Sequence, residues 1–265
     1  MRKLGLLLAL WLCAAGVAHA AEPAPEGVAG AFLVKRDGQL LWAQQPDRRM
    51  APASLAKMMT ALLFLERGQL DSIVTVRRTA AAETGSRIRL KAGDRLRARD
   101  LFAAMLIRSA NDACRALAEQ VGGSAKKFVA AMNERARQLG LMNTHYADPC
   151  GHDRPDQYTT PSDLARLAET VAGFPEYLRF AGTESLRIAT ADGARSFELR
   201  TTNALLGRYD GAIGLKTGYT ARAGQCLVAL AEKNGVRVLL VMLNAPNRWW
   251  DAVALLDRAF DTPVQ

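Results

Sequence analysis

Strand-like and helix-like stretches are segregated in this chain of 265 residues, and that segregation limits its fold more than any other feature. Near the start, Ala31 to Lys35 and Gln39 to Ala43 are short apolar runs on either side of Asp37-Gly38, a strong hairpin signal. The last third returns to strands: Leu186 to Thr190 and Ser196 to Arg200 around Asp192-Gly193, then Gly214 to Thr217, Gln225 to Leu230 and Val236 to Leu243, with Asn234-Gly235 turning between the last two. Between these ends the period becomes helical, over Asp100 to Arg108, Asp112 to Val121, Lys126 to Leu139 and Ser162 to Ala172; Asp251 to Phe260 closes the chain as an amphipathic helix. Thr160-Pro161-Ser162 reads as a helix start, and Gly140 and Gly173 as stops. The simplest packing is an α/β one: an antiparallel sheet built from both chain ends, flanked by helices, with an all-helical subdomain inserted. The cleft between two such lobes is a natural place for a site.

The first twenty residues stand apart. Met1-Arg2-Lys3 is basic, Leu4 to Gly16 is an apolar run of thirteen residues, and Ala18-His19-Ala20 is a small-x-small signal before Ala21. This is the three-part pattern of a cleavable secretory leader, and at about 1.5 Å per residue the run is too short to cross a bilayer. Residues 1–20 are therefore expected to be a signal peptide and residues 21–265 the mature domain, secreted or periplasmic, with no stable membrane anchor after cleavage. The net charge of +9 falls by two without the leader. Its basic residues are scattered and not interleaved with aromatics, which argues against nucleic acid, although a cationic exported protein is drawn to anionic polymers or surfaces. Cys114, Cys150 and Cys226 remain, so at most one internal disulfide can form; Cys114 and Cys226 lie on predicted buried elements and read as small core hydrophobes. Only His145 and His152 survive as histidines, with no H-E-x-x-H and no paired cysteines at zinc spacing, so no metal site is expected.

Three short motifs carry chemistry. Ser54-Leu55-Ala56-Lys57 reads S-x-x-K: positions i and i+3 share a helix face, so hydroxyl and amine are neighbours at the positive end of the helix dipole. Ser54 can also cap that helix, whose Leu55, Met58, Met59, Leu62 and Leu65 form one buried stripe. Burial lowers a lysine toward the range where its amine takes a proton from serine. Ser124-Ala125-Lys126-Lys127 fits the same pattern, but it follows Gly122-Gly123 and opens a basic helix end, and it is read as a decoy. Ser109-Ala110-Asn111 reads S-x-N between two helices, either a proton relay with a substrate-holding amide or a helix cap. Lys216-Thr217-Gly218 lies along a strand: the ammonium and hydroxyl suit a carboxylate, and Gly218 lets a ligand backbone approach. A phosphate loop is excluded there because Leu215 stands where that motif demands glycine.

In this order and spacing, the three motifs resemble those of low-molecular-mass penicillin-binding proteins, the serine D-alanyl-D-alanine carboxypeptidases. The likeness extends to Ala53 to Thr60, Ser109 to Ala113, Phe128 with Met132-Asn133, Leu139-Gly140-Leu141 with Thr144, and Gly214 to Tyr219, and spans about Ala29 to Phe260. It implies a β-lactamase/transpeptidase-like fold and an enzyme of cell wall biogenesis. In it Ser54 would be the nucleophile, forming an acyl-enzyme on the penultimate D-Ala carbonyl, and Lys57 its general base. Ser109 would pass the proton to the leaving D-Ala and later help water attack. Asn111 would orient the substrate, Lys216 and Thr217 would bind the terminal carboxylate beside Gly218, and the backbone N–H groups of Ser54 and Tyr219 would form the oxyanion hole. Peptidoglycan stem peptides would be the substrates and β-lactams covalent inhibitors, with no metal or cofactor.

The resemblance leaves alternatives: a DD-endopeptidase with the same motifs, a class A β-lactamase, or a non-catalytic wall-binding or β-lactam-sensing protein. The β-lactamase reading lacks its deacylating glutamate, since no E-x-x-L-N stretch lies between Ser109 and Lys216; intact Ser54 and Lys57 argue against the last. Longer relatives add a β-rich domain and an amphipathic anchor, neither of which is expected here. Many relatives have an extra arginine before the last helix; the segment Asn247 to Asp251 is short and leaves open whether Arg248 fills that place. The family's Asn-x-x-Gly-Leu stretch reads Asp148-Pro149-Cys150-Gly151-His152.

Overall fold

The structure, a computed structural model, describes Pro25 and residues 27–262; the expected leader lies outside the described residues. Both ends of the chain do meet in one sheet. Strands β1 (Ala31–Arg36), β2 (Gln39–Gln44), β7 (Ala212–Thr220), β8 (Gly224–Lys233) and β9 (Val236–Leu243) pair antiparallel in the order β2-β1-β9-β8-β7. The β1–β2 turn holds Asp37 at φ +48° and Gly38 at +82°, and the β8–β9 turn holds Asn234 at +52° and Gly235 at +78°. Two consecutive left-handed residues give the tight turn whose twist matches that of the strands it joins.

Alternate residues of the central strands enter different cores. Phe32, Val34, Leu227, Ala229, Leu240 and Met242 pack with Leu255, Leu256 and Ala259 of α8 (Arg248–Asp261). Leu33, Val228, Leu230, Val241 and Leu243 face the opposite way, into the larger core. That core continues into the insert through α1 (Lys57–Glu66), α3 (Ala98–Ile107), α4 (Asn111–Gly122), α5 (Ala125–Gln138), α6 (Pro161–Ala172) and the short α7 (Pro175–Ala181). The insert also holds α2 (Arg78–Ala81) and two antiparallel ribbons: β3 (Ile73–Thr75) with β4 (Arg95–Arg97), and β5 (Ser185–Ala189) with β6 (Ser196–Arg200). The β5–β6 ribbon matches the sequence reading, whereas β3, β4, α2 and α7 are too short to carry a period of their own. Among the described residues, no helix is long and apolar enough to cross a membrane.

Local chemistry sets the helix ends. Thr160 Oγ1 accepts from Asp163 N at the start of α6, with Pro161 as its first residue. Ser124 Oγ accepts from Lys127 N and caps α5, so the second S-x-x-K serine is a structural cap. Leu55, Met58, Met59 and Leu62 are fully buried and Leu65 partly so, and this burial anchors α1 firmly against both lobes.

Candidate active site

Ser54 does not cap a helix as the sequence suggests. It sits inside a 3₁₀ turn, Ala53–Ala56, begun by Pro52, and makes no capping hydrogen bond; α1 starts at Lys57. The lysine side chain instead runs alongside the turn, and its Nζ donates to Ser54 Oγ at 2.9 Å. The same Nζ donates to Asn111 Oδ1 at 2.7 Å and to the Cys150 carbonyl at 2.5 Å. An ammonium has three protons and no lone pair, so these three acceptors saturate it. A neutral amine has two protons and one lone pair. Asn111 Oδ1 and the Cys150 carbonyl can only accept, so they take both protons and leave the lone pair for the Ser54 hydroxyl. Lys57 is completely buried, and desolvation pulls its amine down to about 7, against the opposing pull of Asp148, Glu83 and Asp112. The arrangement can therefore accept a proton from Ser54 near neutral pH.

Asn111 is the first residue of α4 and is also held from behind, its Nδ2 donating to the Thr84 carbonyl at 2.6 Å. Neither Ser109 nor Asn111 caps that helix, whose N-cap is Ala110. Ser109 lies in the α3–α4 connection with φ +59°, a left-handed conformation that is uncommon for serine and costs about 1–3 kcal/mol where it is imposed. Its Oγ accepts from Lys216 Nζ at 2.9 Å, which joins the S-x-N segment to β7. Lys216 is buried and also donates to the Thr217 carbonyl at 2.8 Å. Its amine is held well below the ordinary lysine range by desolvation, then by the charges of Lys57 and Arg248.

Strand β7 is an edge of the sheet, and its free side runs past the Ser54 turn. The approach is close: a Cβ placed on Gly218 would lie 3.0 Å from Ala53 Cβ and 3.1 Å from Ser54 N. Thr217 is buried with its hydroxyl 2.7 Å from Thr202 Oγ1, while Tyr219 is 67% exposed beside it. Hydrogen bonds thus join Ser54, Lys57 and Asn111 in one group and Ser109 and Lys216 in another, and β7, which carries Lys216 to Tyr219, runs past the Ser54 turn.

Sequence reasoning left one neighbouring residue, Arg248, open and missed three further features. Arg248 opens α8 and its Nη1 donates to the Gly218 and Cys226 carbonyls, both at 2.9 Å, so it braces β7 directly behind the motif. The Cys150 carbonyl has no sequence signal, because every residue has one. The loop that carries it is organised by Asp148, whose Oδ1 accepts from the backbone N–H groups of Cys150, Gly151 and His152 at 2.8, 2.9 and 3.2 Å. Arg115 bridges Asp148 and Glu83, and Glu83 also meets His152 Nε2 at 2.6 Å. Burial raises the Glu83 carboxyl, but His152 and Arg115 outweigh it and leave the group below its usual range. Finally, Cys114 is not a free core residue: it forms a disulfide with Cys150, while Cys226 is free and buried as expected. Both sulfurs lie in the same interior, where α4 meets the loop, a proximity that the spacing of 36 residues does not reveal.

Comparison with known proteins returns one family. Residues 19–247 match the family described as D-alanyl-D-alanine carboxypeptidase. The chain is 36% identical over 241 residues to the D-alanyl-D-alanine carboxypeptidase DacF of Bacillus subtilis, covering 87% of this chain and 61% of that protein. It thus spans about three-fifths of the length of several curated relatives. Other relatives are covered more fully. The D-alanyl-D-alanine carboxypeptidase of a Streptomyces strain is 30% identical over 97% of this chain and 95% of its own length. The D-alanyl-D-alanine endopeptidase of Pseudomonas aeruginosa is 30% identical over 92% and 83%. The crystal structure of the Streptomyces K15 DD-transpeptidase superposes with a TM-score of 0.84 at 29% identity, covering 90% of this chain and 99% of that one.

Proposed function

Since the chain belongs to the D-alanyl-D-alanine carboxypeptidase family, we propose that it is a serine-type D-Ala-D-Ala carboxypeptidase that trims peptidoglycan stem peptides, is acylated by β-lactams, and is exported by its leader. The observation that carries this reading is the 2.9 Å hydrogen bond between Ser54 Oγ and a fully buried Lys57 whose other protons are already committed.

The reaction follows from that cage. Lys57, neutral, takes the Ser54 proton as Oγ attacks the penultimate D-Ala carbonyl. The oxyanion that forms is stabilised by the N–H groups of Ser54 and Tyr219, donors of a kind typically worth about 3–4 kcal/mol. Ser109 gives its hydroxyl proton to the leaving D-Ala nitrogen and regains one from Lys57, the C–N bond breaks, and water then hydrolyses the acyl-enzyme by the reverse relay. The terminal carboxylate docks on Lys216 and Thr217. Its negative charge favours the protonated form of the Lys216 amine, against the desolvation that lowers it. An extended peptide lying along the free side of β7 can pair with its backbone while its end reaches the lysine.

Labelling with fluorescent penicillin, with the adduct located by mass spectrometry of peptides, tests this directly. Label is expected on Ser54, lost in Ser54→Ala and retained in Ser124→Ala, where only the α5 cap is removed. Label that survives Ser54→Ala would overturn the assignment. The close coverage of the Pseudomonas endopeptidase favours a second reading, hydrolysis of cross-links between stem peptides by the same residues. Parallel assays on a pentapeptide and on a cross-linked dimer separate the two.

A further inference from the structure

We infer that the Cys114–Cys150 disulfide is a positioning element of the catalytic base: it ties the two non-serine acceptors of Lys57 into one rigid unit. The inference rests on the reading of Lys57 as the base. Asn111, which supplies one acceptor, and Cys114 are three residues apart on α4 and share a helix face. Cys150 supplies the other acceptor through its own carbonyl and is bonded through its own sulfur to Cys114. The bond therefore closes a short circuit: Lys57 Nζ, Asn111, one turn of α4, the two sulfurs, the Cys150 carbonyl, and back to Nζ. Within that circuit the two acceptors are held in place around Nζ, so the rotation of the amine, and hence the direction of its lone pair, has little freedom.

The rest of the loop is secured elsewhere. Asp148 gathers three backbone N–H groups, Thr60 Oγ1 donates to the Pro149 carbonyl at 2.6 Å, and Gly151 fits so tightly that a Cβ would lie 1.9 Å from the Ala53 carbonyl oxygen. The loop thus has noncovalent reasons to keep its place, and the disulfide adds constraint at the one carbonyl that touches the base. Both sulfurs are buried, at 0% and 1% exposure, so a dissolved thiol does not reach them. Cys226 is also buried, and burial pushes its thiol up to about 11, leaving little thiolate to exchange with the bond. The disulfide acts as a fixed strut, not as a switch.

Lys57 is faced by Asp148 on the loop, Glu83 after α2 and Asp112 on α4, and by the amine of Lys216 on β7. Arg115 and His152 face it only through Glu83 and Asp148, and Arg248 through Lys216. Replacing both cysteines leaves every one of these groups in place. A change in the titration of Lys57 then reports the tightness of its cage and the water admitted to it.

The test is the full chain with C114A/C150A, or with C114V/C150A, which refills the vacated volume if the alanine pair does not fold. Lysine labelled with ¹³C at Cε gives the titration midpoint of Lys57 by NMR, and penicillin acylation is timed against pH. The midpoint is expected to move upward from about 7 by about one pH unit, with acylation at pH 7 falling about fivefold and largely recovering at pH 9. An unchanged midpoint, whether acylation is unaffected or falls equally at all pH values, overturns the proposal. Failure of the parent protein to label with penicillin would instead overturn the proposed function, and the NMR midpoint would still decide this point.

Discussion

At the scale of single residues, the decisive fact is the proton affinity of Lys57. Unfolded, its amine keeps a proton to about pH 10.4. Folded, desolvation releases that proton near 7. The neutral amine is therefore present above that pH and lost below it, and if it is the proposed base the acylation rate falls about tenfold for each pH unit below 6 with its midpoint near 7; a stopped-flow profile with β-lactam checks this, and a flat profile from pH 5 to 8 would remove Lys57 from the role. The side chains of this site were legible because each motif joins a residue type to a spacing. The Cys150 carbonyl was not, since a backbone group gains a role only from where the chain is led. Asp148, Arg115 and Glu83 belong to none of the three motifs. Their partnership depends on α4 and two loops converging, and the three mature cysteines offered three possible pairings with nothing local to choose among them.

At the scale of elements, the site exists because an edge strand and a 3₁₀ turn touch without a side chain between them. Gly218→Ala would place a methyl group 3.0 Å from Ala53 Cβ and 3.1 Å from Ser54 N. Contacts that short force the turn and β7 apart, and they do so where the proposed oxyanion donors must stay aligned. Acylation is expected to drop by a factor on the order of 10² to 10³, with little loss of thermal stability, because the collision is relieved toward the open cleft. Parallel measurements of penicillin labelling rate and Tm separate that outcome from general unfolding. Most elements were readable from sequence: Ser196–Arg200 and Val236–Leu243 match the predicted strands, and Thr160 marks the start of α6. Strand β7 is longer than its apolar run because Thr217 to Thr220 continue the pairing with β8 through polar residues and a glycine. The Ser54 turn departs from the regular helix that its stripe suggests because Pro52 and Ala53, the latter at φ +49°, change the backbone's direction just before it.

At the scale of the whole molecule, the two lobes share a core: Leu33, Val228 and Val241 from the sheet and Phe102, Leu117 and Phe128 from the insert belong to one buried cluster. Lobes joined this way are expected to melt together. Tryptophan fluorescence and far-ultraviolet circular dichroism should give one coincident transition; two separated transitions would show that the site sits between independently folding halves. The segregation of strands and helices predicted the sheet built from both ends, and the register makes that concrete, with Ala31 opposite Leu243 and Arg36 opposite Val238. That pairing carries a cost in time. Residues so distant along the chain must find each other before either strand is secure, and the entropy of closing such a loop slows the step. A ribosome making this protein releases β1 long before β9 exists. The newborn polypeptide therefore remains unlocked until synthesis is nearly over, which gives chaperones time to hold it while it is still open.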